Sequence, residues 1–171
     1  MNKLFIIIII LSSSWIHVIS QDSMTLRVSE IDITDKQIGD TLYISVFCDD
    51  ASDVIMGWQI YLLFDEDVVR YISLDYKQPD MSGDDWFDNS LGYMWAANWL
   101  DPTFKGVGLY PGEKLFELSF AYLGGQTDIT WGKEAINEEG LLIKGETMVA
   151  NSKVKPFKLN LINGCICKKS N

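Results

Sequence analysis

Histidine is almost absent from this chain: there is one in 171 residues, and it is His17. Residues 1–20 begin with Lys3, run through LFIIIIIL and end on HVIS before Gln21. That is the basic start, short apolar stretch and small-residue cut of a secretory signal peptide. The unbroken apolar part is shorter than the roughly 18 residues expected of a membrane span, and serines interrupt it. Cleavage before Gln21 leaves residues 21–171 with no histidine. Ser-His-Asp and Cys-His nucleophiles, histidine zinc sites and histidine general bases are then all excluded. Basic charge is also scarce. Loss of Lys3 leaves 13 basic residues against 24 acids, a net charge of −11. This sign argues against nucleic acid or an anionic membrane as a partner, because both need Lys and Arg to neutralise phosphates. No second apolar run stands near the C-terminus, so no membrane span is expected after cleavage, and the product is expected to be secreted, periplasmic or cell-surface. Cysteine is sparse and odd in number: Cys48, Cys165 and Cys167. One thiol at least stays unpaired within a single chain. Cys165 and Cys167, two apart in a strand, sit near the upper limit of disulfide reach and are expected to remain thiols.

A 3.6-residue period is missing too, apart from one candidate helical turn in KEAINEEGLL at 133–142. What is present is alternation with period two, the mark of half-buried strands. TLYISVFC sets Leu42, Ile44, Val46 and Cys48 on one face. MTLRVSEIDI gives Met24, Leu26 and Val28, then changes phase to Ile31 and Ile33, which predicts a bulge or bend. LGYMWAANW puts Leu91, Tyr93, Trp95, Ala97 and Trp99 against Gly92, Met94, Ala96 and Asn98, and KLFELSFAY alternates likewise. Turn signals separate these runs: IGD at 38–40, SGDD at 82–85, YPGE at 110–113, LGGQ at 123–126 and NGC at 163–165. Many short strands with Gly and Pro turns predict a single-domain β-sandwich over residues 21–171.

The segment GWQIYLLFDEDVVRY at 57–71 reads as a central strand, an acidic turn at 65–67 and the start of the next strand. Trp58, Ile60, Leu62 and Phe64 form its core face. Gln59, Tyr61 and Leu63 form the other. Adjacent carboxylates on one turn do not flank a substrate bond as a glycosidase pair does, so no catalytic residue is expected.

In order along residues 25–168, five stretches resemble the cohesin modules of cellulosome-type assemblies: IGDTLYISV, GWQIYLLFDEDVV, LGYMWAA, GEKLFELSFAY and NGCICKK. The resemblance implies a nine-stranded sandwich of jelly-roll topology that binds rather than catalyses. The implied partner is a dockerin-type module, typically carried by a glycan-degrading enzyme and held on the outer face of one sheet. That face would present Gln59, Tyr61, Leu63, Met94, Ala96 and Asn98, so joint alanine substitution of Tyr61 and Met94 is expected to weaken binding. The implied strand order also places Cys48 and Cys165 two strand spacings apart, about 9.5 Å, too far to bridge, and it makes NGCICKK a closing Asn-Gly hairpin.

The alternative is a carbohydrate-binding module. In DDWFDNSLGYMWAANWLDPTF, Trp86, Phe87, Trp99 and Phe104 would offer flat rings to a polysaccharide, beside Asp84, Asp85, Asp88 and Asn89. No cofactor is expected. The DDWFDN oxygens make Ca2+ the one minor alternative, without the glycine-kinked spacing of an EF-hand loop.

Overall fold

The computed structural model describes residues 21–81, 87–91, 93–132, 134–136, 142–144 and 146–169. The expected signal peptide at 1–20 lies outside them, as do residues 84–86 of the DDWFDN stretch and Trp86 with them. The first half of the chain forms β1 (Ser23–Val28), β2 (Glu30–Asp32), β3 (Thr41–Ala51), β4 (Ile55–Leu63), β5 (Val69–Lys77), β6 (Phe87–Leu91) and β7 (Met94–Leu100). The second half forms β8 (Glu113–Tyr122), β9 (Thr127–Trp131), β10 (Glu134–Ile136), β11 (Leu142–Lys144), β12 (Met148–Asn151), β13 (Lys158–Ile162) and β14 (Gly164–Cys167).

Two sheets pack face to face. The smaller runs β13, β1, β3, β8, β5, and the larger runs β2, β14, β9, β4, β7, β6 with β12 also paired to β4. Both are mixed: β1 with β13, and β2 with β14, are parallel, and the other pairs are antiparallel. The inward faces are those the alternation marks. Leu42, Ile44, Val46 and Cys48 of β3, Trp58, Ile60 and Leu62 of β4, and Phe64 just beyond it, are all buried. Aromatic pairs tie the two layers together: Trp58 stacks on Phe116 with ring centroids 5.6 Å apart, Trp95 meets Phe116 at 5.0 Å, and Phe64 meets Phe120 edge-on at 4.9 Å. Such pairs add about 1 kcal/mol each beyond the area they bury. Among the described residues the core runs from Met24 to Ile166.

Four expectations about elements change. Among the described residues eleven strands have four or more residues, not nine. One of the extra strands arises because the chain breaks between β13 and β14 on changing sheet. The phase change in MTLRVSEIDI is such a break. β1 lies in the smaller sheet and β2 in the larger, with the crossing at Ser29. Asn163 and Gly164 likewise carry β13 of the smaller sheet into β14 of the larger, so this is a crossing and not a hairpin. LGYMWAANW is not one strand: β6 and β7 form an antiparallel hairpin, with Leu91 opposite Met94. In KEAINEEGLL, Glu134–Ile136 and Leu142 are strand and not helix, since β10 and β11 pair with Ala135 opposite Ile143, while residues 133 and 137–141 lie outside the described residues. Local composition there favours a helix, but pairing satisfies the backbone instead. Among the described residues no helix is long and apolar enough to cross a membrane.

The cysteines correct a further expectation. Cys165 and Cys167 form a disulfide, with Cα atoms 5.6 Å apart. Residues i and i+2 share a face of a strand, and that separation is inside the bridging range. Cys48 stays free and buried. It belongs to the smaller sheet, whereas Cys165 is on the larger, opposite Glu30 and Asp128. The two are therefore separated by the sandwich and not merely by two strand spacings.

Candidate functional site

The outer face of the larger sheet is built around β4. Its residues meet those of β7 directly across the ladder: Gln59 opposite Asn98, Tyr61 opposite Ala96, Leu63 opposite Met94. Their neighbours in sequence, Trp58 with Trp99, Ile60 with Ala97 and Leu62 with Trp95, pair on the core side. The six residues marked from the sequence thus share one face and one contiguous row. Because side chains alternate across a strand, a core face that must be apolar fixes the opposite face as well.

Exposure varies along this row. Gln59, Tyr61, Leu63 and Ala96 are half-buried and Asn98 is exposed. Met94 is 2% exposed, so it is covered on this face and is not available to a partner. The joint Tyr61 and Met94 substitution would therefore perturb packing as well as contact.

Two apolar side chains join the row that were not singled out from the sequence. Leu100 is opposite Gly57 on β7, and Met148 is opposite Gln59 on β12; both are about half exposed. Leu100 continues the period of Met94, Ala96 and Asn98 and could have been found by extending it two residues. Met148 could not, since nothing local announces that β12 pairs with β4. Gly57 has a steric role: a Cβ there would lie 2.9 Å from the Trp99 carbonyl oxygen and 3.2 Å from Leu100 Cδ1. Leu100 consequently lies against bare backbone.

The β4 edge changes partner at Tyr61. β9 pairs with Leu62 and Leu63, while β12 pairs with Gln59 and the residues before it. Between them the Tyr61 N–H donates to Thr147 Oγ1 at 3.2 Å, and the Gly132 N–H donates to the Tyr61 carbonyl at 2.8 Å. A Cβ on Gly132 would meet Tyr61 Cβ at 2.8 Å. Both polar groups of the Tyr61 backbone are thus satisfied along this one edge. Desolvation raises its phenol pKa, which keeps the hydroxyl neutral at physiological pH.

Toward one side the face turns acidic. Glu30, Asp128 and Asp32 flank Cys165 and Cys167 on the neighbouring strands. Among the described residues no group of three or more His, Cys, Asp or Glu side chains could hold a metal ion. A groove of about 580 Å³ opens on the flank of the sandwich, lined by Trp131, Thr147, Met148, Phe157, Leu159 and Leu161 among others. It lies between the edge of β13 and the larger sheet and reaches the Tyr61 row at Thr147 and Met148.

Two of the four rings of the alternative aromatic platform can be placed. Trp99 is buried opposite Trp58, because the alternation that sends Trp95 inward sends Trp99 inward too. Phe104 is exposed on a loop beyond β7. Trp86 and the Phe87 side chain are outside the described residues, although the Phe87 backbone pairs with Asn98.

No protein-family profile matches the chain, and no curated protein matches it. Solved structures do. The sixth cohesin of Acetivibrio cellulolyticus scaffoldin B, solved with the Cel5 dockerin, is similar at 15% identity with a TM-score of 0.68, over 86% of this chain and 99% of that one. CaCohA2 of Clostridium acetobutylicum is similar at 16% identity and a TM-score of 0.66, over 87% and 92% of the two chains. A non-cellulosomal cohesin from the archaeon Archaeoglobus fulgidus is similar at 13% identity and a TM-score of 0.60, over 88% and 93%. At these identities the likeness establishes a cohesin-type fold.

Proposed function

We propose, from a cohesin-type sandwich as premise, that this protein is a non-catalytic binding module that docks a dockerin-type partner on the outer face of its larger sheet. The observation that carries the reading is the Tyr61 row. Tyr61, with its backbone N–H and C=O both bonded along the β9/β12 edge, shares this face with Leu63, Gln59, Ala96, Asn98, Leu100 and Met148. A rigid aromatic anchor ringed by apolar and polar neighbours is the usual composition of an interface hot spot. The similar modules include one solved with a dockerin bound, which supports the choice of partner. The finer reading is that the partner is carried by a glycan-degrading enzyme and that the meeting takes place outside the cytoplasm after removal of residues 1–20. With Trp99 in the core, direct polysaccharide binding through the 86–104 cluster has no supporting observation.

The test is capture of exported proteins of the source organism on immobilised residues 21–171, with mass spectrometry of what is retained. The retained dockerin-type module is then titrated calorimetrically. Tyr61→Ala should weaken its binding about 30-fold, the effect of a hot-spot residue, while Tyr43→Ala, on the outer face of the other sheet, should not. Retention of no dockerin-type protein by the folded module, or equal affinity for both variants, would refute the reading.

A further inference from the structure

One flank of the sandwich is left open. β13 is the last strand of the smaller sheet, and among the described residues β1 is the one strand that pairs with it. It is tied to the larger sheet at both ends. Just before β13 the Phe157 N–H donates to the Val149 carbonyl of β12 at 2.9 Å, and where β13 ends Trp131 Nε1 of β9 donates to the Ile162 carbonyl at 3.0 Å. Between these ties no described strand closes the gap, and the groove of about 580 Å³ lies there.

The edge that borders this groove is regular. The Lys158 N–H donates to the Asp22 carbonyl at 2.8 Å, so Lys158, Asn160 and Ile162 direct their backbone groups toward β1. Alternation along the strand turns the N–H and C=O groups of Leu159 and Leu161 to the open side. Side chains alternate as well: Leu159 and Leu161 pack against the core and line the groove, while Lys158, Asn160 and Ile162 are exposed. Native edge strands are commonly blunted by bulges, by brevity or by inward-pointing charges. At the opposite edge of the same sheet, β5 has two register shifts. β13 keeps one register with β1 from Lys158 to Ile162 and points leucines inward, so it carries none of these protections but a modest length. Four residue steps make the open edge about 13 Å long.

We infer that this flank is a strand-addition site: an extended segment of a partner protein, with apolar side chains at alternate positions, pairs with the Leu159 and Leu161 backbone and inserts those side chains between β13 and the larger sheet. Donors and acceptors that recur at every second residue match the edge of another extended backbone. A lipid or a small apolar ligand would fill the groove but leave these groups unpaired. The groove is also continuous with the Tyr61 row, since Met148 lines it and stands opposite Gln59, and Thr147 lines it and accepts from the Tyr61 N–H. One partner can therefore engage both surfaces, although strand addition needs only the groove and the edge.

The experiment follows amide exchange of the protein with and without a pool of synthetic heptapeptides, lysine at both ends and threonine alternating between them with valine, leucine, isoleucine or phenylalanine. In the free protein the Leu159 and Leu161 N–H groups should exchange fast. Peptide at about ten times its Kd should slow both about tenfold and leave Asn160, on the β1 side, unchanged. Leu161→Lys, which aims a charge into the groove, should weaken binding about 30-fold. Ile162→Lys, the next residue and exposed, should not. Circular dichroism confirms the fold of each variant. A further arm needs no variant: peptides N-methylated at alternate residues lose the donors of one edge, and one of the two phases of methylation should abolish binding. Slow exchange at Leu159 and Leu161 in the free protein would overturn the inference, because this chain or a second copy would already occupy the edge. So would absence of protection by the pool, equal binding by Leu161→Lys and Ile162→Lys, or full binding by both methylated series.

Discussion

Gly164→Ala tests the sandwich at the point where it is most tightly closed. Gly164 begins β14 just after the chain leaves the smaller sheet, and it passes against Ser29, where β1 gives way to β2. A Cβ built on Gly164 lies 2.3 Å from the Ser29 carbonyl oxygen, 3.0 Å from its carbonyl carbon and 2.8 Å from Val28 Cγ1. Normal contact is roughly 3.5 Å, so the two crossings must separate by about 1 Å. Neither can move freely. Val28 is buried in the core, the Ser29 N–H donates to the Ser45 carbonyl at 2.9 Å, and the Ser45 N–H donates to Ser29 Oγ at 2.9 Å. Overpacking of about 1–3 kcal/mol, with one of these hydrogen bonds weakened at about 1 kcal/mol, gives a loss of about 3 kcal/mol. For a domain of this size that lowers the melting temperature by roughly 6–12 °C. Gly164 is not in the left-handed region, so alanine meets no backbone strain there. Restriction of the unfolded chain alone would make the variant more stable by about 0.4–1 kcal/mol. The two accounts differ in sign. Urea and calorimetric unfolding of wild type and variant decide between them, and equal or higher stability in Gly164→Ala would refute the steric reasoning.

The remaining predictions concern the loop end and the thiols. Burial pushes the Asp101 carboxyl pKa up, but hydrogen bonds from Thr103, Gly106 and Lys105 outweigh it and hold the group below the ordinary carboxylate range. Since the folded value is lowered, the stabilisation is fully present above about pH 4 and disappears as pH falls through the folded value. Amide exchange at Thr103, Lys105 and Gly106 should therefore accelerate in acid before the core opens; protection unchanged down to global unfolding would contradict this. Burial pushes the Cys48 thiol up to about 11, and Cys165 is paired with Cys167. Native protein should react negligibly with a thiol reagent at pH 8, denatured unreduced protein should show one thiol per chain, and reduced denatured protein three. Three thiols without reductant would remove the disulfide.

Much of the candidate site could be read before the fold was known. Gln59, Tyr61 and Leu63 could be placed outward because Trp58, Ile60, Leu62 and Phe64 had to face the core, and the same register carried Ala96 and Asn98 with them. It also placed Trp99 inward, against its use as a sugar platform. Burial of Met94 was not legible, because alternation gives the direction of a side chain but not what covers it. The shapes of the loops after β7 and β12 were not legible for a related reason: DPTFKG and NSKVKP look like ordinary loops until the Asp101 and Asn151 hydrogen bonds and the left-handed φ of Phe104 and Val154 are seen.

The sequence by itself determined the all-β class, the acidic balance, and the inward and outward faces of β3, β4 and β7. These follow from period-two burial and from composition, both local properties of the chain. Only the tertiary structure decided that β1 and β13 change sheets at Ser29 and Asn163, that β12 brings Met148 beside Gln59, and that Cys165 pairs with Cys167. It alone showed the open groove beside β13. Each of these depends on contact between segments distant in sequence or on local backbone geometry, and a pattern of apolar and polar residues specifies neither.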